Sequence, residues 1–208
     1  ENTQKQETVT RLEKFYSNWN NGMAQMLAAE EVEQLGDTSA LQSLPEGIDC
    51  NIFMYKCDSL TDAFKKYFKV SETDIKDYFY PYYIHTGAAF PDGSVLRGCH
   101  IFKMGGDAGK ADAKRAAQIA AQGGHMYSYQ GYLDVDLNGN KKPNVWGKDI
   151  FSFYISGEGK LFTTFGKDYS LYLYGNLKYT WQSETFLCGP RPSGYFEGTV
   201  NSGCAARI

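Results

Sequence analysis

One periodic stripe of apolar residues constrains the fold of this chain more than any other feature. Between Thr3 and Leu35, apolar side chains recur every three or four positions, at Val9, Leu12, Tyr16, Trp19, Met23, Met26, Leu27, Val32 and Leu35. This spacing predicts an amphipathic α-helix of about 30 residues within 1–36, about 45 Å long at 1.5 Å per residue. Such a helix is longer than a compact domain of 208 residues needs, so we expect it to continue beyond its N-terminal end.

The second half of the chain alternates apolar with polar residues, which is the pattern of antiparallel strands. Strands are predicted over 94–102, 126–135, 149–155, 160–165 and 171–181. Capping-box patterns at 59–62 and 71–74 and an alanine-rich stretch at 108–122 predict shorter helices. The predicted fold class is therefore α+β: a long N-terminal α-helix packed on an antiparallel β-sheet, with extra short helices inserted between them.

The sequence shows no internal repeat and no linker, so we expect a single domain over 1–208. We assign 1–36 to the amphipathic helix and 37–125 to a region of inserted helices and loops. Residues 126–208 are assigned to the sheet and a C-terminal tail. A chain of this length can bury a substantial core.

The charge distribution argues against one class of partner. The net charge is −3 and basic residues form no stripe, so we expect no binding to nucleic acid. Sixteen tyrosines and thirteen phenylalanines favour strands and packing surfaces whose hydroxyl groups stay hydrated.

No group of residues has the pattern of a catalytic site. His85, His100 and His125 lie in separate segments without metal-ligand spacing, and no cysteine has a recognisable histidine partner. The glycine-rich stretch 104–111 is one residue short of a phosphate-binding loop and ends on alanine where Ser or Thr would hold magnesium. We therefore expect a protein that is not an enzyme.

The five cysteines lack the paired spacing of zinc sites, which favours disulfides and an exported protein. Cys188 and Cys204 bracket a segment rich in Gly and Pro, and closing that loop would stabilise the fold by roughly 3 kcal/mol. Cys50 and Cys57 could form a second, smaller ring, or one of them could pair with Cys99.

The segment D-V-D-L-N-G, residues 134–139, has the oxygen spacing of the opening of an EF-hand calcium loop. Position twelve of that loop falls on Val145 and not on Glu, so the full EF-hand is excluded. An irregular calcium site could still use oxygens of four residues, Asp134, Asp136, Asn138 and Asp149. The alternative is a long hairpin connection, because Asx and Gly residues also build turns.

Several motifs together resemble the globular heads of bacterial type IV pilins and type II secretion pseudopilins. They are T-V-T-R-L-E-K-F-Y-S (8–17), F-P-D-G-S (90–94), D-V-D-L-N-G-N-K-K-P-N-V-W-G-K-D-I-F-S-F-Y-I (134–155), G-K-L-F (159–162), Cys188 and G-C-A-A-R-I (203–208). The resemblance covers about half of the chain, and the central motif is the most specific part.

The resemblance implies a pilin-like fold in which a sheet packs across the second half of a long helix. It implies an apolar first half of that helix, absent before Glu1, which would anchor the subunit in the inner membrane after processing and N-terminal methylation. The implied function is a structural subunit of a type IV pilus or type II secretion pseudopilus. Its partners would be other pilin subunits, and its location the inner membrane or periplasm before assembly and a cell-surface or extracellular filament afterwards.

A second hypothesis is a secreted binding module or adhesin. Its recognition surface would be aromatic, and the run at 78–83 is the candidate. The two hypotheses differ in the segment that precedes Glu1: about 20 apolar residues behind a short basic leader would favour the pilin.

Overall fold

A long helix begins the chain and supplies one side of the core. In the computed structural model, which describes residues 2–46, 48–53, 57–76, 84–103, 129–139, 141, 144, 149–162, 172–173 and 177–178, helix α1 spans Asn2–Ala29. Its buried residues are Phe15, Trp19, Met23 and Met26. These positions repeat at three- to four-residue intervals, so they form one face of the helix.

Seven strands form one antiparallel sheet. They are β1 (Asp49–Asn51), β2 (Ser71–Lys76), β3 (Ile84–Ala89), β4 (Val95–Phe102), β5 (Tyr129–Asp136), β6 (Ile150–Ser156) and β7 (Leu161–Phe162). Strands β2 to β7 are hydrogen-bonded in sequence order. Strand β3 pairs with the first residues of β4, and β1 pairs with the last three. A separate pair, β8 (Tyr172–Leu173) and β9 (Leu177–Lys178), forms a two-stranded sheet.

Three shorter helical segments lie between α1 and β2 in the sequence. A 3₁₀ turn spans Leu35–Asp37, α2 spans Ser39–Gln42, and α3 spans Asp58–Phe68. Residues Leu60, Phe64 and Phe68 of α3 are buried on one face. Cys57, which directly precedes α3, forms a disulfide with Cys50 of β1, and their Cα atoms are 5.9 Å apart.

Aromatic rings join α1 to both α3 and the sheet. The Trp19 ring lies 5.1 Å from that of Phe68, and the Phe15 ring lies 6.1 Å from that of Phe153 on β6. Strand residues Leu133, Val135, Phe151 and Ile155 complete this core. The α+β class and the packing of the N-terminal helix against an antiparallel sheet are thus observed.

Three details of the predicted fold are wrong. Helix α1 ends at Ala29, not at residue 36, because the chain turns at Glu30 and Glu31 adopts φ 55°. The capping-box pattern at 71–74 belongs to strand β2, whose six residues each pair with β3. Strands β1 to β3 also lie within the region 37–125 that was expected to hold inserted helices and loops, whereas β4 coincides with the strand predicted at 94–102.

Several predictions fall on residues outside the described ranges. They are the helix at 108–122, most of the strand at 171–181, the aromatic run at 78–83 and the Cys188–Cys204 pair.

Candidate functional site

The connection between β5 and β6 brings three of the four proposed calcium ligands together. Asp136 is the last residue of β5, Asn138 follows in the turn, and Asp149 directly precedes β6. The backbone N–H of Leu137 donates to the carbonyl oxygen of Asp149 across 2.7 Å. This bond closes the base of the connection, so that the two carboxyl groups lie at the same end of the sheet.

Asp149 organises the turn with one carboxylate oxygen. Its Oδ2 accepts hydrogen bonds from Asn138 Nδ2 at 2.9 Å and from the backbone N–H of Asn144 at 2.7 Å. Asn144 adopts φ 50°, which asparagine tolerates better than most residues. Asp149 is only 6% exposed, so these bonds replace hydration that the carboxylate loses on folding.

Asp136 is buried still more deeply and is bonded more weakly. It is 1% exposed, accepts the backbone N–H of Asn138 at 3.2 Å and lies 3.5 Å from Arg97 Nη1. Burial raises the pKa of the Asp136 carboxyl to about 7, and the charge of Asp149 adds to the rise, while Asn138 and Arg97 oppose it. The site therefore places a poorly solvated carboxyl group beside a second carboxylate.

One acceptor at this site has no hydrogen-bond donor. The side-chain oxygen Oδ1 of Asn138 is buried and receives no hydrogen bond from the residues that the structure describes. A buried acceptor of this kind costs about 1 to 3 kcal/mol unless a water or a cation satisfies it. Together with Asp136 and Asp149, it supplies the hard oxygen ligands that calcium prefers.

Asp134 is the fourth proposed ligand, and the structure places it further away. It lies two residues before Asp136 on the same face of β5, about 6.6 Å along the strand. It pairs in register with Gly98 and Ser152. Within the described ranges, no three or more His, Cys, Asp or Glu side chains are grouped so that they could hold a metal ion. A cation here would therefore depend on asparagine and backbone oxygens as well as on two carboxylates.

Sequence reasoning missed two participants in this connection. Arg97 reaches Asp136 from β4, at a register shift between Leu96 and Gly98, and such bulges redirect side chains. Asn144 donates to Asp149 through its backbone N–H. Arg97 could have been suspected from the sequence, because it is a charged residue within a predicted strand. The backbone N–H of residue 144 could not, because every residue except proline has one.

The same connection is tied to α1. Arg11 donates from Nη1 to the carbonyl oxygen of Leu137 at 3.3 Å and pairs with Glu7 through Nη2 at 2.7 Å. On this side of α1, two adjoining cavities of about 310 and 570 Å³ both have Lys14 and Asp92 in their walls. The larger cavity separates the helix from the β5–β6 connection.

Among the described residues, Cys99 and His100 take part in packing within the sheet. Cys99 is a free thiol that is 2% exposed. Burial raises its thiol pKa, and the charge of Asp134 raises it further, which keeps the sulfur protonated and poorly nucleophilic. His100 stacks on Tyr132 with ring centroids 4.4 Å apart.

Comparison with known proteins gives one match. A model of a protein family of unknown function matches residues 1–176, but no curated protein and no solved structure matches the chain. In the part of the chain that the structure describes, no helix is both long and apolar enough to cross a membrane.

Proposed function

The chain belongs to the DUF6613 family, whose function is unknown, and we propose that it is a structural subunit of a filament of the type IV pilus or type II secretion pseudopilus kind. The proposal includes export, attachment to the inner membrane through an upstream apolar segment before assembly, and a final place in a cell-surface or extracellular filament. Its partners would be further subunits of the same kind. No catalytic role is part of this proposal.

One contact carries the proposal. Arg11 belongs to the motif at 8–17, and Leu137 belongs to the motif at 134–155. These two motifs carry most of the resemblance to pilin heads, and the hydrogen bond from Arg11 to the Leu137 carbonyl oxygen joins them. A pilin-like head would need this arrangement, because its sheet and loops must hold a fixed position along the helix that builds the filament.

The two faces of α1 support a role in assembly. One face is buried through Phe15, Trp19, Met23 and Met26, while Glu13, Ser17, Ala24 and Ala28 on other faces are exposed. A helix that gives one face to its own sheet keeps another for neighbouring subunits. Head-to-tail repetition of such contacts generates an open filament and not a closed ring.

We also propose that calcium binds among Asp136, Asn138 and Asp149 and braces the β5–β6 connection. The buried Oδ1 of Asn138 supports this role, because a cation would satisfy an oxygen that receives no hydrogen bond from the described residues. Calcium would hold the two carboxylates together and have no catalytic part.

The filament proposal is tested by the coding sequence and by the subunit it produces. We expect about 20 apolar residues, preceded by a short basic leader, directly upstream of Glu1. The full-length product, expressed with a pilus or pseudopilus assembly system, should fractionate with membranes and enter filaments visible by electron microscopy. A conventional cleaved signal peptide directly before Glu1, together with a secreted product that never enters filaments, would contradict the proposal and favour the secreted binding module.

A further inference from the structure

A basic groove runs along one flank of α1. It consists of the two cavities that share Lys14 and Asp92 in their walls. The C-terminal end of α3, with Lys69, borders the smaller cavity, and Lys141 of the β5–β6 connection borders the larger one. We call this feature the lysine groove.

The acidic residues of the lysine groove already have partners. Asp92 accepts hydrogen bonds from the backbone N–H and hydroxyl of Ser94, at 2.9 and 2.6 Å, and from Asn18 Nδ2 at 3.0 Å. Glu7 pairs with Arg11 at 2.7 Å. Asp92 is thus half-buried and bonded within the subunit, and the exposed Glu7 carboxylate is paired with the Arg11 guanidinium.

The lysines of the groove have no such partners. Lys14, Lys69 and Lys141 are exposed, and none of them forms an ion pair with another described residue. The groove therefore presents three ammonium groups to the outside, next to amide side chains of α1 such as Asn21 and Gln25. This surface suits an acidic, hydrogen-bonding partner.

The segment that follows the C-terminal end of α1 has the complementary charge. No Lys or Arg occurs from residue 15 to residue 55, and Glu31, Glu33 and Asp37 follow the helix directly. All three are exposed, and no described residue forms an ion pair with any of them. We call residues 30–37 the acidic segment.

The acidic segment is placed where it opposes the stability of the fold. Carboxylates near a helix C-terminus face the negative end of the helix dipole, and a basic residue would be favoured there. Glu31 also adopts φ 55°, a conformation that favours glycine. Glu30 is used within the subunit, because its carboxylate accepts the backbone N–H of Ser39 at the start of α2. Glu31 and Glu33 form no ion pair with a described residue, and a positively charged partner outside the subunit would offset their unfavourable position.

We propose that the acidic segment of one copy of this chain docks into the lysine groove of the next copy. The lysine groove lines the flank of α1 between Glu7 and Gln25, and the acidic segment begins after the last helical residue, Ala29. Each copy thus offers two different surfaces. The contact is heterologous and can repeat without closing, which deepens the proposed filament function by naming the interface between heads.

Charge reversal tests this docking directly. The groove variant is K14E/K141E, the segment variant is E31K/E33K, and K66E serves as a control for a lysine of α3 that does not line the groove. Circular dichroism melts first establish that each variant is folded. Sedimentation velocity over a concentration series, at about 0.1 M and about 1 M salt, then compares association when the screening length is about 10 Å and about 3 Å.

We expect the wild-type protein and K66E to associate at low salt and to dissociate at high salt. Each reversal variant alone should associate at least about tenfold more weakly. An equimolar mixture of the two variants should recover association, because the acidic segment of the groove variant meets the unchanged groove of the segment variant, and the reversed segment and the reversed groove are complementary as well. Recovery in the mixture cannot arise from a general loss of folding.

Three outcomes would overturn the docking proposal: wild-type protein that stays monomeric at low salt, reversal variants that associate like wild type, or a mixture that stays monomeric. Groove-dependent binding of a polyanion such as heparin by a monomeric wild type would assign the groove to another partner. The filament proposal is decided separately by the upstream coding sequence and by electron microscopy. Failure of one proposal is therefore distinguishable from failure of the other.

Discussion

The indole Nε1 of Trp19 donates a hydrogen bond to the carbonyl oxygen of Gly159 across 2.8 Å. Trp19 is fully buried in the middle of α1, and Gly159 lies in the turn between β6 and β7. A second bond, from the backbone N–H of Leu35 to the Gly157 carbonyl oxygen at 2.6 Å, ties the segment after α1 to the same turn. The turn therefore fixes the position of the helix along the sheet.

Replacement of Trp19 by Phe should destabilise the protein by about 2 to 4 kcal/mol. The variant removes a buried donor, leaves the Gly159 carbonyl without it, and opens a void beside Phe64 and Phe68. Urea denaturation followed by circular dichroism measures the change. Tyr16→Phe is the matched control, because that hydroxyl bonds the Leu161 carbonyl oxygen at 3.3 Å from a 41% exposed side chain. The control should cost less than about 1 kcal/mol, and equal losses in both variants would contradict this role for Trp19.

Alanine substitutions at Gly93 and Gly159 should measure two separate costs in unfolding free energy, that of backbone conformation and that of close packing. Gly159 and Gly93 adopt φ 75° and 88°, but a Cβ on Gly159 would overlap the Met23 side chain, whereas a Cβ on Gly93 meets no atom within 4 Å. Gly93→Ala should therefore cost about 1 kcal/mol for conformation alone. Gly159→Ala should cost at least about 1 kcal/mol more, because Met23 must move. Equal losses of unfolding free energy in denaturant titrations would show that α1 is not packed tightly on this turn.

Periodicity predicted the long helix well but did not locate its buried face accurately. The predicted stripe included Tyr16 and omitted Phe15, yet Phe15 is fully buried and Tyr16 is exposed. Adjacent residues differ by 100° around a helix, so both fit an apolar stripe about equally well. Phe15 is the buried residue because its ring contacts those of Phe90 and Phe153. A local sequence pattern does not contain such contacts between distant segments.

The strands that sequence reasoning missed are those that depend most on their neighbours. β1 has three residues, paired one to one with His100, Ile101 and Phe102, too few to show an alternating pattern. β2 carries charged residues such as Glu72 and Asp74, as is usual for a strand at the edge of a sheet. At the candidate site, Asp136 and Asn138 were singled out by the oxygen spacing of D-V-D-L-N-G, and Asp149 was added as a further oxygen donor. Arg97 was not, because its contribution depends on the bulge in β4.

The disulfide-bonded cysteines and the free Cys99 should differ in their effect on stability and in their reaction with thiol reagents. Replacement of Cys50 and Cys57 by Ser should lower the free energy of unfolding by about 2 kcal/mol, because the disulfide closes a short loop at the start of α3.

Cys99 should resist a thiol reagent in the native protein and react fully in denaturant, because the buried thiol stays protonated. Reagent titration with and without denaturant measures both states. Rapid labelling of native Cys99 would contradict its burial.

The pKa of Asp136 predicts a pH dependence of stability that is measurable in the presence of a chelator. This pKa is about 7 in the folded chain and about 3.9 in an unfolded one. The protonated carboxyl therefore contributes stability that is fully present below about pH 4 and is lost as the pH rises through 7. Asp136→Asn cannot ionise, so its stability relative to wild type should increase over this range by up to about 4 kcal/mol. Urea denaturation at pH 5 and pH 8 provides the comparison, and parallel pH profiles for the two proteins would exclude the effect.

Calcium binding should depend on Asp149 and not on Asp134. In the wild-type protein, we expect calorimetric titration to give a dissociation constant of about 10⁻⁴ to 10⁻³ M, the range of extracellular calcium modules. Calcium at about 100 times that constant should stabilise the fold by roughly 2.7 kcal/mol, and a chelator should reverse the gain. Asp149→Asn removes a carboxylate that holds Asn138 and Asn144 in the turn, so it should abolish the heat of binding. Asp134→Asn is the matched control and should bind calcium like wild type. Asp134 lies on β5, opposite Ser152 of β6 and away from the turn. If wild-type protein gives no heat of binding and its melting temperature is the same in calcium and in chelator, the β5–β6 connection is a hairpin turn held by its own hydrogen bonds.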